Sequence, residues 1–266
     1  MTSKPSETAE PIDSATVILV RDGYAGLEVL MGQRHGEIQF AGGALVFPGG
    51  KVDPRDEKAE LEMAASRDEG LPEQFQGLRF TAIREVFEET GLIIGKKDGK
   101  PLDEELRQSI DRDYRNLVHY EGMCLLDFLR ETGIQPDLDA IVPFAHWITP
   151  VVQPKRYDTR FFICEAPEGQ TASADGQEIL EVTWASPQEI IDRADGTLMF
   201  PTLMNLNKIS GYGSVRELFE ETAKSKIVTV LPEIKKNKKG DIRIIAEEAG
   251  YGSIDQNGIH TGIKKG

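Results

Sequence analysis

The sequence predicts an α/β (α+β) domain with a mixed β-sheet, a helical insertion and a C-terminal hairpin extension, on three observations. Apolar runs such as Ala15–Val20 and Ala44–Phe47 read as buried strands, the second entering a tight Pro48-Gly49-Gly50 loop. Leu106, Ile110, Tyr114, Leu117 and Tyr120 recur at i+3 and i+4 spacing, which is helical. At 266 residues, 39% hydrophobic and 29% charged, the chain has the material for one elaborated domain.

Residues 1–12 are polar and expected to be disordered. Strands are expected at 15–20 and 27–31, then the Gly-Gly loop. The stretch 57–83 (Glu-, Ala- and Lys-rich, then Gly-Leu-Pro) reads as an added helix and turn ahead of a short acidic helix. Leu92-Ile93-Ile94-Gly95 begins another strand. Residues 103–133 form the helical insert, a lid or specificity element, with a second helix from Leu125 ending at Gly133. Strands resume at 145–148, 159–164 and 181–184. Ser186 and Pro187 open one helix and Ser214 another. Within the extension 226–266, Lys226–Leu231 and Asp241–Ile245 read as a hairpin around a Lys-rich turn, covering a sheet edge or mediating contacts in a homodimer. The residues from Tyr251 are expected to be loose.

The acidic helix Arg84-Glu85-Val86-Phe87-Glu88-Glu89-Thr90-Gly91 is the most informative segment. At 100° per residue Glu85, Glu88 and Glu89 share one arc, and Ile83, Val86 and Phe87 face the other way. Gly91 is a natural stop, so the acids sit at the negative end of the helix dipole, where further negative charge is disfavoured. Like charges at i,i+4 cost a further ~0.2–0.5 kcal/mol. Acids placed against both penalties imply a cation. No His or Cys accompanies them, so the cation is hard, Mg²⁺ or Mn²⁺. The paired glycines upstream let a backbone carbonyl approach a ligand without Cβ interference.

Strand, Gly-Gly loop and acidic helix together resemble the Nudix box, G-x5-E-x7-R-E-U-x-E-E-x-G-U with U apolar. Residues Arg84 to Leu92 match every specified position of its second half. The first half departs: Gly50 aligns with the opening glycine, but Asp56 stands where Glu is expected, and the seven-residue spacer has become 57–83. Further segments, Ala145–Pro150, Lys155–Phe162 and Leu198–Thr202, resemble the coenzyme A-cleaving subgroup, whose peroxisomal mammalian member also carries an insertion in its box. The resemblance covers roughly residues 13–225.

That resemblance implies an α/β/α sandwich and a metal-dependent pyrophosphatase acting on a nucleoside diphosphate linked to another moiety, with coenzyme A or acyl-CoA as first choice. It implies Glu88, Glu89 and the Gly49 carbonyl as metal ligands, with Glu85 as a further ligand or the general base. Arg84 pairs with Glu88 and fixes its rotamer. Glu178, before a late strand, is the further carboxylate, with Glu181 as alternative. Arg34, Lys51, Arg156 and Arg160 are candidates for the outer phosphates, since guanidinium binds phosphate bidentately, and half or more of them are expected to be strand-surface charge. His146 is expected to belong to the sheet, and Trp147 and Trp184 to the core.

Markers for other Nudix substrates are absent: the positions that carry them hold Arg107 and Gln108-Ser109. The coenzyme A signature upstream is matched in part by Gly36-Glu37 and Phe47–Gly50. Alternatives are cleavage of NADH, ADP-ribose or a related dinucleotide, and a non-catalytic binding module; the retained glutamates weigh against the second. An isomerase of isopentenyl-diphosphate type would need a catalytic Cys and His ligands, and Cys124 falls in a helical pattern. A net charge of −14 argues against nucleic-acid partners. No run approaches the ~18–20 apolar residues of a membrane span. Two unpaired cysteine contexts, no apolar leader and no C-terminal Ser-Lys-Leu-type tripeptide make the cytoplasm the expected location.

Overall fold

In the computed structural model, which describes residues 9–37, 42–64, 70–194, 197–238, 240–256 and 259–264, the chain opens on a long strand buried on both faces. This strand, β1 (Ile12–Gly23), sends Ala15, Val17 and Leu19 to one hydrophobic cluster and Ile18 and Val20 to another, the alternation a pleated strand imposes. β2 (Gly26–Arg34) returns antiparallel to it. The short strands β3 (Leu45–Val46) and β4 (Gly49–Lys51) pair with β2 and β1. Helix α1 (Pro54–Ala64), a 3₁₀ turn at Glu73–Phe75 and α2 (Arg79–Thr90) follow.

Next come β5 (Gly95–Lys97) and β6 (Lys100–Pro101), a hairpin whose Asp98 and Gly99 both take positive φ, 51° and 74°, as two-residue hairpin turns prefer. α3 (Glu104–His119), capped by the Asp103 carboxylate, and α4 (Leu125–Thr132) lead to β7 (Ile134–Pro136), which pairs with β5. β8 (Val142–Ile148), β9 (Tyr157–Glu165) and β10 (Ile179–Ala185) then complete most of the main sheet. α5 (Pro187–Arg193) starts at a full capping box of Ser186 and Glu189. α6 (Phe200–Ile209) and α7 (Val215–Lys224) precede β11 (Thr229–Val230), β12 (Glu233–Asn237), β13 (Gly240–Ala246), β14 (Asp255–Gln256) and β15 (Ile259–Lys264).

The main sheet runs β10-β2-β1-β9-β8-β11 and is mixed: β1 lies parallel to β9, and β8 parallel to β11. On one face α2, α3 and α4 cover a cluster that includes Phe80, Phe87, Ile110 and Phe128, with the Phe87 and Phe128 rings stacked 4.9 Å apart. On the other, α5, α6 and α7 cover Val29, Met31, Phe161 and Ile163 with Ile190, Leu203, Met204 and Leu218. The architecture is the expected α/β/α sandwich. His146 is part of the sheet, hydrogen-bonded to Asp158 and Thr229 side chains. Trp147 is buried, and Trp184 is half-buried under the Arg21 guanidinium, 4.4 Å from its ring centre.

Three expectations are corrected. Of the terminal stretch expected to be disordered, residues 1–8 lie outside the described residues. Ala9, however, accepts a hydrogen bond from Arg156 (2.9 Å), and Ile12 already begins β1. The expected C-terminal hairpin is a four-stranded sheet, β12-β13-β15-β14. Thr229–Val230 joins the main sheet beside β8, and Pro232, which has no N–H to donate, separates it from β12, so β13 pairs with Glu233–Asn237. Beyond Tyr251, Asp255–Gln256 and Ile259–Lys264 are strands rather than loose coil, β15 lying parallel to β13.

The C-terminal sheet is tied to the sandwich by its own core residues Ile245, Ala249 and Ile254 and by one phenol. Tyr251 Oη accepts from Trp147 Nε1 (2.9 Å) and donates to Asn205 Oδ1 (2.7 Å). Tyr251→Phe strands two buried polar groups and should lower stability by ~1–3 kcal/mol in urea unfolding. A change within ±0.5 kcal/mol would show that this link does not anchor the sheet.

Candidate active site

Helix α2 stops at Gly91, which takes the left-handed conformation (φ 67°). Its terminal carbonyls meet cations. Arg115 Nε donates to Glu88 O (2.8 Å) and Arg107 Nη1 to Gly91 O (3.2 Å), and both side chains are buried. They put positive charge where the helix dipole is negative. Part of the compensation that the sequence alone assigns to a metal is therefore supplied by arginine.

Glu85, Glu88 and Glu89 are only 8%, 5% and 2% exposed, too little for water to solvate three charges. Arg84 is their organiser. Its Nη1 lies 2.9 Å from Glu85 Oε1 and 2.9 Å from both Glu88 oxygens. Nε donates to Asp56 Oδ2 (2.6 Å) and Nη2 to the Lys51 carbonyl (3.1 Å). The last bond ties the acidic helix to the glycine loop, and Gly49 N–H completes the tie by donating to Glu89 Oε2 (3.2 Å). The glycines are required here: a Cβ on Gly50 would stand 2.5 Å from the Glu85 carboxylate oxygens, and one on Gly49 2.6 Å from the Ala15 carbonyl oxygen.

Burial pushes Glu85 up to about 7, against the pull of Arg84 and with the added push of Glu88. Glu89 is raised as well, by burial and then by Glu85 and Glu178. Burial also raises Asp56, with Arg84 opposing. Charge at this site is thus resisted until something cationic arrives. Among the described residues no three His, Cys, Asp or Glu side chains already stand as a metal-binding cluster, since the acids are turned to Arg84 and to the Gly49 N–H. The donor chemistry nonetheless suits a hard ion: all oxygen, buried and approached by a glycine loop.

Gly49, Gly50, Arg84, Glu85 and Glu88 line a cavity of about 820 Å³, within the range of small-ligand sites, and Glu89 does not reach its wall. Glu178 and Arg34 face each other there as an ion pair. The Asp175 carboxylate accepts from the backbone N–H of Gln177, Glu178 and Ile179, which fixes the loop that presents Glu178. Glu181 is exposed on β10 and does not line the cavity. Lys51 does, and is exposed.

Arg156 and Arg160, two of the four candidates for the outer phosphates, do not line the cavity. Arg156 is spent on the Thr149 and Ala9 carbonyls, and Arg160 on the Gln74 carbonyl and the Asp13 and Asp158 carboxylates. Arg160 sits on β9 and Arg156 immediately before it, and the two tie that strand to its surroundings.

Two residues carry more than their sequence context suggested. Asp56 is fully buried and orients Arg84 while accepting the Leu125 N–H (3.3 Å). The signal was its place six positions after Gly50; α1, beginning at Pro54, turns this shorter acid towards Arg84. His119, in the last turn of α3, places Nδ1 3.3 Å from Glu88 Oε2 and Nε2 3.9 Å from Asp175. Burial works to lower its pKa, but Glu88, Asp175 and Glu178 outweigh that and raise it. No local spacing announces this contact, because it depends on α3 folding back over α2.

Comparison with known proteins fits this geometry. The family profile of the NUDT19 Nudix domain matches residues 59–201. The acyl-coenzyme A diphosphatase NUDT19 of Gallus gallus is 28% identical over 244 residues, covering 74% of this chain and 64% of that protein. The Homo sapiens protein of the same description is 23% identical, with 73% and 63% covered. The chain thus spans just under two thirds of these relatives. A crystal structure of a Nudix hydrolase from Alicyclobacillus acidocaldarius superposes with a TM-score of 0.65 at 26% identity, covering 78% of this chain and 94% of that one.

The raised carboxyls make stability depend on pH. The native acids hold protons that the unfolded chain, with Glu near its ordinary ~4.3, has released. The contribution of Glu85 is complete below about pH 4.3 and is lost as pH rises through about 7; that of Glu89 has the same sign. With divalent ions chelated, Tm should fall between pH 5.5 and 8, and Glu85→Gln should flatten that fall. Thermal scans giving equal slopes for both proteins would contradict the assignment.

Proposed function

The chain belongs to the NUDT19 Nudix domain family, and from that premise we propose that it is a divalent-metal-dependent hydrolase cleaving the pyrophosphate of a nucleoside diphosphate linked to another moiety, with coenzyme A or acyl-CoA as substrate. The observation that carries this reading is the set of three buried carboxylates on one helix face, Glu85 and Glu88 organised by Arg84 at the wall of a ligand-sized cavity and Glu89 held behind them by the glycine loop. The relatives named acyl-coenzyme A diphosphatase support the substrate class.

Glu85, Glu88, Glu89 and the Gly49 carbonyl would hold Mg²⁺ or Mn²⁺. When bound, the ion supplies charge neutralisation for the pyrophosphate and lowers the pKa of an attacking water. The chain's own residues do the rest. Arg84 fixes the rotamers of Glu85 and Glu88, with Asp56 holding the far side of its guanidinium. Arg34 and Lys51 face the phosphates from the cavity wall. Glu178, or Glu85 in the alternative, takes the proton from water as an oxygen–phosphorus bond forms. The bridging P–O bond breaks, and its oxygen leaves with the departing phosphate.

Glu88→Gln and Glu89→Gln should each cut turnover by ~10²-fold or more, the scale of removing a positioned electrostatic group, with circular dichroism unchanged. Unaltered Mg²⁺-dependent hydrolysis in both would reject the site. A screen of coenzyme A, acyl-CoA, NADH, ADP-ribose and diadenosine compounds with Mg²⁺ and Mn²⁺, products identified by mass, should release 4′-phosphopantetheine or its acyl form. Cleavage of the other compounds alone would replace the substrate with one of them.

A further inference from the structure

The cavity has a second chemistry at the end remote from the acids. Glu85, Glu88 and Glu89 come from the layer on one face of the main sheet, whereas Trp147, Phe200 and Arg243 belong to the packing on the other, and all line the same space apart from Glu89. On β13, Ile245 points into the core and Arg243, two residues earlier, shares its face and reaches the cavity. Ile234 lies directly across from Arg243 on β12 and lines the cavity with it.

Arg243 differs from the other arginines near the site. Arg34, Arg84, Arg107 and Arg115 all pair with carboxylates. Arg243 is half-buried, yet among the described residues no carboxylate or hydrogen-bond acceptor meets its guanidinium, in a chain whose net charge is −14. Its recorded neighbour is the Phe200 ring, 5.1 Å from the guanidinium carbon to the centroid. Phe200 in turn meets Trp147 edge-on, with ring centroids 5.6 Å apart. The partly exposed Phe200 ring, backed by the buried Trp147, offers π surface to a nucleobase, and a guanidinium fork beside it presents paired donors shaped for phosphate.

We propose that Arg243 is a substrate-specificity residue that holds a second phosphate of the nucleotide, carried on the ribose outside the pyrophosphate, while the base packs against Phe200. This rests on the reading given under Proposed function and narrows its substrate to a ribose-phosphorylated nucleoside diphosphate. The C-terminal sheet is then the wall that selects the nucleotide, and the box is the end that cleaves it.

Two readouts separate this from the reading beneath it. By calorimetry with the full chain, adenosine 3′,5′-bisphosphate should bind at least about tenfold more tightly than AMP, the order of one charge-assisted hydrogen-bonding group. Arg243→Gln should erase that ratio, and Arg243→Lys, which keeps charge without the fork, should restore part of it. In hydrolysis, the kcat/KM ratio of coenzyme A to dephospho-coenzyme A should collapse towards one in Arg243→Gln, chiefly through KM. A bisphosphate preference that survives in Arg243→Gln, or is missing from the wild type, overturns the proposal whether or not coenzyme A is cleaved. Failure of the wild type to cleave either substrate, with the binding preference intact, overturns the proposed reaction instead and leaves Arg243 as a phosphate ligand.

Discussion

One guanidinium holds the candidate site together. Arg84 touches Asp56 from α1, Glu85 and Glu88 from its own helix, and the Lys51 carbonyl of the glycine loop. Burial works against its charge, but the carboxylates around it raise its pKa and keep it protonated. With Arg84 removed, Glu85 would lose its cationic partner and Glu88 would keep only His119, and an uncompensated buried charge costs several kcal/mol or forces protonation. The dependence runs in both directions, since the acids justify the arginine and the arginine sets their rotamers. The rest of the site is arranged around this node: Arg107 and Arg115 neutralise the helix end, and Gly50 gives Glu85 room.

The residues legible in the sequence were those whose contacts are local. The acidic arc on α2, the Gly91 stop, the caps at Ser186 and Ser214 and the strand before Gly49-Gly50 follow from spacings of two to seven residues, where helix and strand geometry act directly. Residues whose partners are distant were misread or passed over. Arg156 is a phosphate candidate by charge alone until strand pairing brings Ala9 to it from 147 residues away. His119 meets Glu88 across 31 residues of chain, and its neighbours in sequence say nothing of it. The C-terminal segment shows the same limit. Its apolar runs were visible, but whether Thr229–Val230 pairs with β8 or β13 is decided by the exposed edge of the main sheet.

Arg243 belongs to that second class. In sequence it is one charge in the alternating strand Asp241-Ile242-Arg243-Ile244, where a solvated face is the ordinary expectation. Only the docking of β13 beside α6, through Ile245, Ala249 and the Tyr251 link, turns that charge towards Phe200 and the shared cavity.

The parallel pairing of β1 with β9 sets the order in which the molecule can be assembled. Ile12 aligns with Tyr157 and Val20 with Glu165, so the central strand waits for about 140 further residues before its second edge is covered. Such remote partners slow folding, because chain closure must precede any reward. During synthesis β2, β4 and the acidic helix emerge while that edge is still open, and Glu178 and the C-terminal strands emerge only after β9. A ribosome-bound chain therefore carries its carboxylate cluster before the strands that enclose the other end exist. This leaves an interval in which an unpaired strand edge is the nascent chain's chief hazard of aggregation.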